Sequence, residues 1–132
     1  MEKTQKEEQV LVVIKPDAAM KGLSGLIIDE MSRIGLRMIG VKLVKVNRKL
    51  IEKHYEVHKG KPFYDKLVDH MAGVGYIDEI LAFVYSGKNA ISKMRDLAGK
   101  THPEEAAPHT LRGRYGRVTK TDVFENVVHV SD

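Results

Sequence analysis

The stretch Val10-Leu11-Val12-Val13-Ile14-Lys15-Pro16-Asp17 decides how the chain is built. Apolar residues run unbroken from Val10 to Ile14 and stop at a cation and a proline. A short continuous run rich in β-branched residues is the pattern of a strand buried on both faces. Proline has no backbone N–H, so a central ladder cannot continue through Pro16. A buried strand therefore ends on Lys15, and whatever lies beside that end meets a positive charge.

Working outward, Ile39, Val41 and Leu43 alternate as a second strand, with Arg37, Lys42 and Lys45 interspersed. Ile80 to Tyr85 forms a third, closed by Ser86-Gly87, and Val127 to Val130 a fourth. Between them, Leu23, Leu26, Ile27, Met31 and Ile34 keep helical spacing up to Gly35. Ile51, His54, Tyr55 and His58 share a second helical face, and Phe63, Leu67, Val68 and Met71 a third after Gly60-Lys61-Pro62. Ile91, Met94, Leu97 and Ala98 make a fourth stripe. The order β-α-β-α-α-β-α-loop-β predicts an α+β sandwich, one sheet with helices covering it. Residues 99–122 have little periodicity and many turn formers, and a loop of that length in a small domain points to function or disorder.

The 132 residues are read as one domain over the whole chain, with residues 1–8 as a flexible start. Apolar residues at 42% and charged residues at 30% are ordinary for a soluble globular protein. No apolar stretch approaches a membrane span, and the mixed-charge start does not resemble a secretory signal. The absence of cysteine excludes disulfides, thiolate metal sites and a cysteine nucleophile. A cytoplasmic setting is the expectation. With 22 basic and 18 acidic residues the net charge of +4 favours anionic ligands only mildly. Its distribution is more telling: Lys88, Lys93, Arg95, Lys100, Arg112, Arg114, Arg117 and Lys120 face just Asp96, Glu104 and Glu105.

That cationic segment leads into Glu125-Asn126-Val127-Val128-His129-Val130-Ser131-Asp132, where an imidazole interrupts an apolar run. If the first and last strands are neighbours, Lys15, Arg95, Arg112 and His129 converge. Cations around a neutral imidazole suit phosphoryl transfer: they take up charge on the equatorial oxygens while the ring nitrogen attacks in line. Histidine fits because a neutral fraction exists near neutral pH.

Together the stretches VVIKPDAAMKGLSG (12–25), EKHYEVHKGKPFYDKLV (52–68), SKMRDLAGKTHPEEAAPHTLRGRYG (92–116) and ENVVHVSD (125–132) resemble the nucleoside diphosphate kinase family. The resemblance covers nearly the whole chain, with the motifs in the family's order. It implies a ferredoxin-like βαββαβ sandwich with a four-stranded antiparallel sheet. It also implies ping-pong transfer of the γ-phosphate of a nucleoside triphosphate to a diphosphate. Mg²⁺ would be carried by the nucleotide phosphates, with no protein side chain as its ligand, and the protein would be a homo-oligomer (hexamer, tetramer or dimer). By motif, His129 matches the phosphorylated histidine and Lys15 the lysine of the IKPD element. Arg95, Thr101 and Arg112 match phosphate-holding residues; Asn126 and Lys15 match groups that bind the sugar hydroxyls. Phe63 matches the aromatic that stacks on the base, Tyr55 a tyrosine lining the pocket, and Ser131 the serine beyond the histidine. Stacking without reading base edges implies tolerance of all nucleobases.

Several positions depart from the family pattern. Val130 stands in place of a small residue, Arg114 in place of an acid, and Val57 in place of another acid. The stretches from Arg112 to Asn126 and before the third strand are longer. Family members carry a tail glutamate that hydrogen-bonds the catalytic imidazole, whereas this sequence stops at Asp132. Glu56, Glu125, a backbone carbonyl or a neighbouring subunit is expected to serve instead. His54 and His58 have the i,i+4 spacing of a zinc pair but no third ligand in view. Arg114, Arg117 and Lys120 read as a solvated loop face. RNA binding is a poor fit, since the first strand has no stacking aromatic. The alternative to an active kinase is an impaired relative acting as a nucleotide-binding or assembly module.

Overall fold

The computed structural model describes residues 7–45, 47–62, 64–71, 79–119 and 124–131. Strand β1 (Glu7–Ile14) holds the apolar run, with Val10, Val12, Val13 and Ile14 buried. Pro16 then opens a short helix, α1 (Pro16–Met20), at the helical position where its missing N–H forfeits no bond. Gly22, at φ +73°, turns the chain into α2 (Ser24–Met31). The apolar stripe expected from Leu23 is thus preceded by a separate helix that periodicity did not reveal.

Strand β2 (Arg37–Lys45) and helix α3 (Arg48–His54) follow, with Asn47 capping α3 through its side chain. Tyr55 ends α3, and Glu56–His58 forms a 3₁₀ turn, so the helical face expected to reach His58 stops early. Next come α4 (Tyr64–Met71), β3 (Glu79–Lys88) and α5 (Ala90–Ala98). The long loop contains a 3₁₀ turn at Pro103–Glu105, helix α6 (Leu111–Tyr115), and two short paired strands, β4 (Arg117–Val118) and β5 (Phe124–Glu125). Strand β6 (Val128–Val130) follows.

The main sheet has the order β2-β3-β1-β6, antiparallel throughout, which is the ferredoxin-like arrangement. Within it Glu7 and Glu8 pair with Lys88 and Gly87, while residues 1–6 lie outside the described residues. Apolar side chains cover both faces of the sheet. On one, Val10, Val12 and Ile14 pack with Ile27 and Met31 of α2, Phe83 and Tyr85 of β3, and Met94 of α5. On the other, Val13 and Ile80 pack with Ile51 of α3 and Tyr64 and Val68 of α4. Burial of each large aliphatic side chain contributes roughly 1.5–3 kcal/mol.

This division explains an imidazole among valines. Val128 and Val130 pair with Ile14 and Val12, and His129 pairs with Val13. Directly opposite residues share a face of the sheet and successive residues alternate. The valines therefore enter the α2/α5 core, and His129 turns to the α3/α4 side.

Strand β2 lies at the sheet edge with three apolar residues uncovered: Ile39, Val41 and Leu43 are 43%, 59% and 59% exposed, while Val44 packs with Val13 and Ile80 on the α3/α4 side. A register shift between Met38 and Gly40 interrupts its pairing with β3.

Candidate active site

Four segments build the site: the β1–α1 junction, the end of α3, the loop from Gly99 to Gly116, and the turn entering β6. Lys15 is the N-cap of α1 and is buried, with its Nζ donating to Asn126 Oδ1 at 2.6 Å. Asn126 Nδ2 donates in turn to the Thr101 carbonyl at 3.0 Å. Burial is the main reason the Lys15 pKa is pushed down to about 8; Asp17 opposes the shift, Arg112 adds to it, and Glu125 opposes it.

Arg112 sits on α6, whose start is set by Thr110: its Oγ1 accepts from the Gly113 N–H at 3.1 Å. Gly113 lies so close to the preceding loop that a Cβ there would come 2.1 Å from the Ala107 carbonyl oxygen. This tight turn directs Arg112 inward. Its NH1 donates to the Gly99 carbonyl (2.8 Å), its NH2 to that of Val128 (2.9 Å), and its Nε to that of Asn126 (3.3 Å). Burial first, and the Arg95 charge second, lower its pKa from the usual guanidinium value. Arg95, on α5, is exposed.

On the opposite side, the His54 ring meets the His129 ring edge-on, with centroids 5.5 Å apart and planes at 83°. Tyr55 meets His54 in the same way at 4.6 Å, and burial raises the pKa of its phenol. Beyond His129, Ser131 Oγ accepts from the Leu11 N–H at 2.8 Å and the Ser131 N–H donates to the Leu11 carbonyl at 2.9 Å. Phe63 lies outside the described residues.

The turn before His129 was not legible from residue spacing. Val127 is fully buried at φ +63°, which is a genuine outlier for a β-branched residue. The Val128 N–H donates to the Asn126 carbonyl at 2.7 Å, closing a three-residue γ-turn of the strained hand. Such backbone strain costs on the order of 1–3 kcal/mol. Two groups from the β1–α1 junction meet this residue. Asp17 Oδ2 accepts from the Val127 N–H at 3.2 Å, and the Lys15 N–H donates to the Val127 carbonyl at 2.8 Å. Asp17 is itself fully buried. The signal that could have found it was an acid directly after Lys-Pro, one residue into a helix.

Other departures acquire structural roles. Arg114 NH1 and the Tyr115 hydroxyl both donate to Glu30 Oε2, tying α6 to α2. Glu125 is buried, and its Oε1 accepts from Lys21 Nζ and Arg117 Nε. It thereby locks the β4–β5 pair to α1. Val130 joins the core, and Val57 is exposed. Among the described residues, no group of three or more His, Asp or Glu could hold a metal ion.

A buried lysine, a guanidinium held by three carbonyls and a strand-end imidazole on an antiparallel α+β sandwich define a class of site suited to phosphoryl transfer. The family model described as "Nucleoside diphosphate kinase" matches residues 8–132. A nucleoside diphosphate kinase of Pyrococcus furiosus is 43% identical over 125 residues, covering 95% of this chain and 74% of the relative. The structure of a halophilic nucleoside diphosphate kinase from Halobacterium salinarum in complex with CDP superposes with a TM-score of 0.86 at 35% identity, over 96% of this chain and 78% of that one. A transition-state mimic of the Borrelia burgdorferi nucleoside-diphosphate kinase with vanadate and ADP superposes at 0.83 with 26% identity, over 95% and 79%. The chain belongs to the nucleoside diphosphate kinase family, whose members are phosphotransferases. No helix among the described residues is long and apolar enough to cross a membrane.

Proposed function

We propose that His129 carries the γ-phosphate between a nucleoside triphosphate and a nucleoside diphosphate in two half-reactions. In the first, a neutral imidazole nitrogen attacks phosphorus in line. The N–P bond forms as the bond to the bridging oxygen breaks, and the diphosphate leaves. In the second, a terminal oxygen of another diphosphate attacks the phosphohistidine and the N–P bond breaks. Lys15, Arg95 and Arg112 stabilise charge on the transferring group, an interaction strongest in the transition state. An ammonium has three donors and Asn126 takes one, so Lys15 can also serve phosphate or a sugar hydroxyl. Thr101 supports the phosphates, Phe63 stacks on the base, and Tyr55 lines the same pocket.

Mg²⁺ is taken to arrive on the nucleotide, whose phosphates are met by Lys15, Arg95 and Arg112. When bound there, Mg²⁺ neutralises phosphate charge and fixes phosphate geometry.

The observation that supports this reading best is the β1–β6 pairing. It sets Lys15 at the end of one strand against the Asn126–Val128 turn that leads to His129 on the other. A chase experiment tests it. Protein labelled with γ-³²P-ATP and freed of nucleotide should hand its label to CDP or GDP without further ATP. Label that stays on the protein would rule out the two-step route.

A homo-oligomer is proposed on the uncovered β2 edge. Exposed apolar residues on an edge strand invite pairing with a second copy. We place the activity in the cytoplasm, consistent with a chain that lacks cysteine.

A further inference from the structure

From the contacts around Val127 we infer that Asp17 is a positioning residue, holding the strained turn that aims His129. The inference rests on His129 being the nucleophile. A buried valine does not stay at φ +63° unless its surroundings fix both flanking peptides. Here they do, and both fixings come from one element. The Asp17 carboxylate accepts from the Val127 N–H, and the Lys15 backbone N–H donates to the Val127 carbonyl. Pro16 between them locks the backbone of that clamp through its ring and its place at the start of α1.

Other contacts brace the turn. The Asn126 carbonyl accepts from the Val128 N–H and Arg112 Nε, and the Val128 carbonyl accepts from Arg112 NH2. Of these contacts, the carboxylate is the one a side-chain substitution can remove without touching a cation of the site. His129 follows Val127 by two residues, so a turn that relaxes toward ordinary β geometry redirects the strand entering it. Misplacement of a reacting group by an ångström can cost about a hundredfold in rate. Asp17 is fully buried and meets the backbone of the turn. Its charge also favours the protonated form of Lys15, and the Asn variant separates that effect from the hydrogen bond.

The test compares Asp17→Ala, which removes the acceptor, with Asp17→Asn, which keeps an acceptor oxygen and loses the charge. Single-turnover phosphorylation by ATP–Mg²⁺ is read beside amide exchange at Val127. Asp17→Ala should phosphorylate at least about tenfold more slowly, with the ATP KM changed by less than about twofold and the Val127 amide exchanging faster. Asp17→Asn should restore the rate to within about threefold of wild type and keep the amide protected. Equal loss in both variants would overturn the inference, because charge and not the hydrogen bond would then matter. So would an unchanged rate in Asp17→Ala, or a slow rate with Val127 exchange unaltered. Should Asp17→Ala fail to fold, Asp17→Asn decides: a loss beyond about tenfold, or a normal rate with an unprotected Val127 amide, contradicts the proposal. His129→Ala is run alongside. Label on it would overturn the reading of His129 itself, whereas a clean His129→Ala with unaffected Asp17 variants would overturn this inference alone.

Discussion

Lys15 Nζ and Asn126 Oδ1 are joined by a buried 2.6 Å hydrogen bond across 111 positions of sequence. The bond holds an ammonium at the edge of the site with a neutral amide as partner. Burial, only partly opposed by Asp17, lowers the lysine to about 8. If its charge assists transfer, kcat/KM should fall as pH rises through about 8, since this parameter reports groups of the free enzyme. Lys15→Gln should be slow at every pH and lack that descending limb. A pH–rate profile that keeps the limb in the variant would assign it to another group.

The same shift has a consequence for stability. The folded-state value near 8 lies below the unfolded value of 10.5, so the unfolded chain binds more protons between them. The burial cost is therefore full below pH 8, and the Lys15 contribution improves as pH rises through the window to 10.5. Urea melts across that window should show wild type gaining on Lys15→Met as pH increases. A constant difference between the two would mean that the lysine is not depressed.

Arg112 holds three carbonyls with one planar group, which a lysine cannot do. Arg112→Lys should lower kcat by roughly 2–4 kcal/mol in barrier terms and raise KM much less. It should also lower the melting temperature, because the carbonyls of Gly99 and Val128 lose the guanidinium as donor and that of Asn126 keeps only the Val128 N–H. Steady-state kinetics with an intact kcat and a raised KM would show that the guanidinium grips the ground state alone.

Val41, 59% exposed on the β2 edge, is far from the chemistry and central to the proposed self-association. Val41→Glu should sediment as a smaller species than wild type at the same concentration. Unchanged sedimentation would move the interface elsewhere.

Much of the sheet was readable because Val10 to Ile14 and Ile80 to Tyr85 carry buried-strand patterns that no other element shares. Helix α1 was hidden because a five-residue helix shows barely one turn of periodicity. Helix α6 was hidden for the same reason, though Thr110 marks its start. At the site, Lys15 stood out as a polar residue ending an apolar run and His129 as one inside such a run. Asp17 and the ring contact of His54 did not. Their roles depend on a turn and a face alternation that exist only once β1 and β6 are paired. Arg114 reads as part of a solvated loop face and Glu125 as a candidate partner of the imidazole. The structure ties Arg114 to Glu30 of α2 and Glu125 to Lys21 and Arg117, contacts that spacing alone does not show.

The location of the transferred phosphate tests the proposed chemistry at its root. Wild-type protein mixed briefly with ATP–Mg²⁺ and digested under alkaline conditions should yield one phosphorylated peptide, with the group on His129. The label should be lost in acid, kept in alkali and absent from His129→Ala. Phosphate found on another residue, or undiminished label in His129→Ala, would contradict the assignment of His129 as the nucleophile.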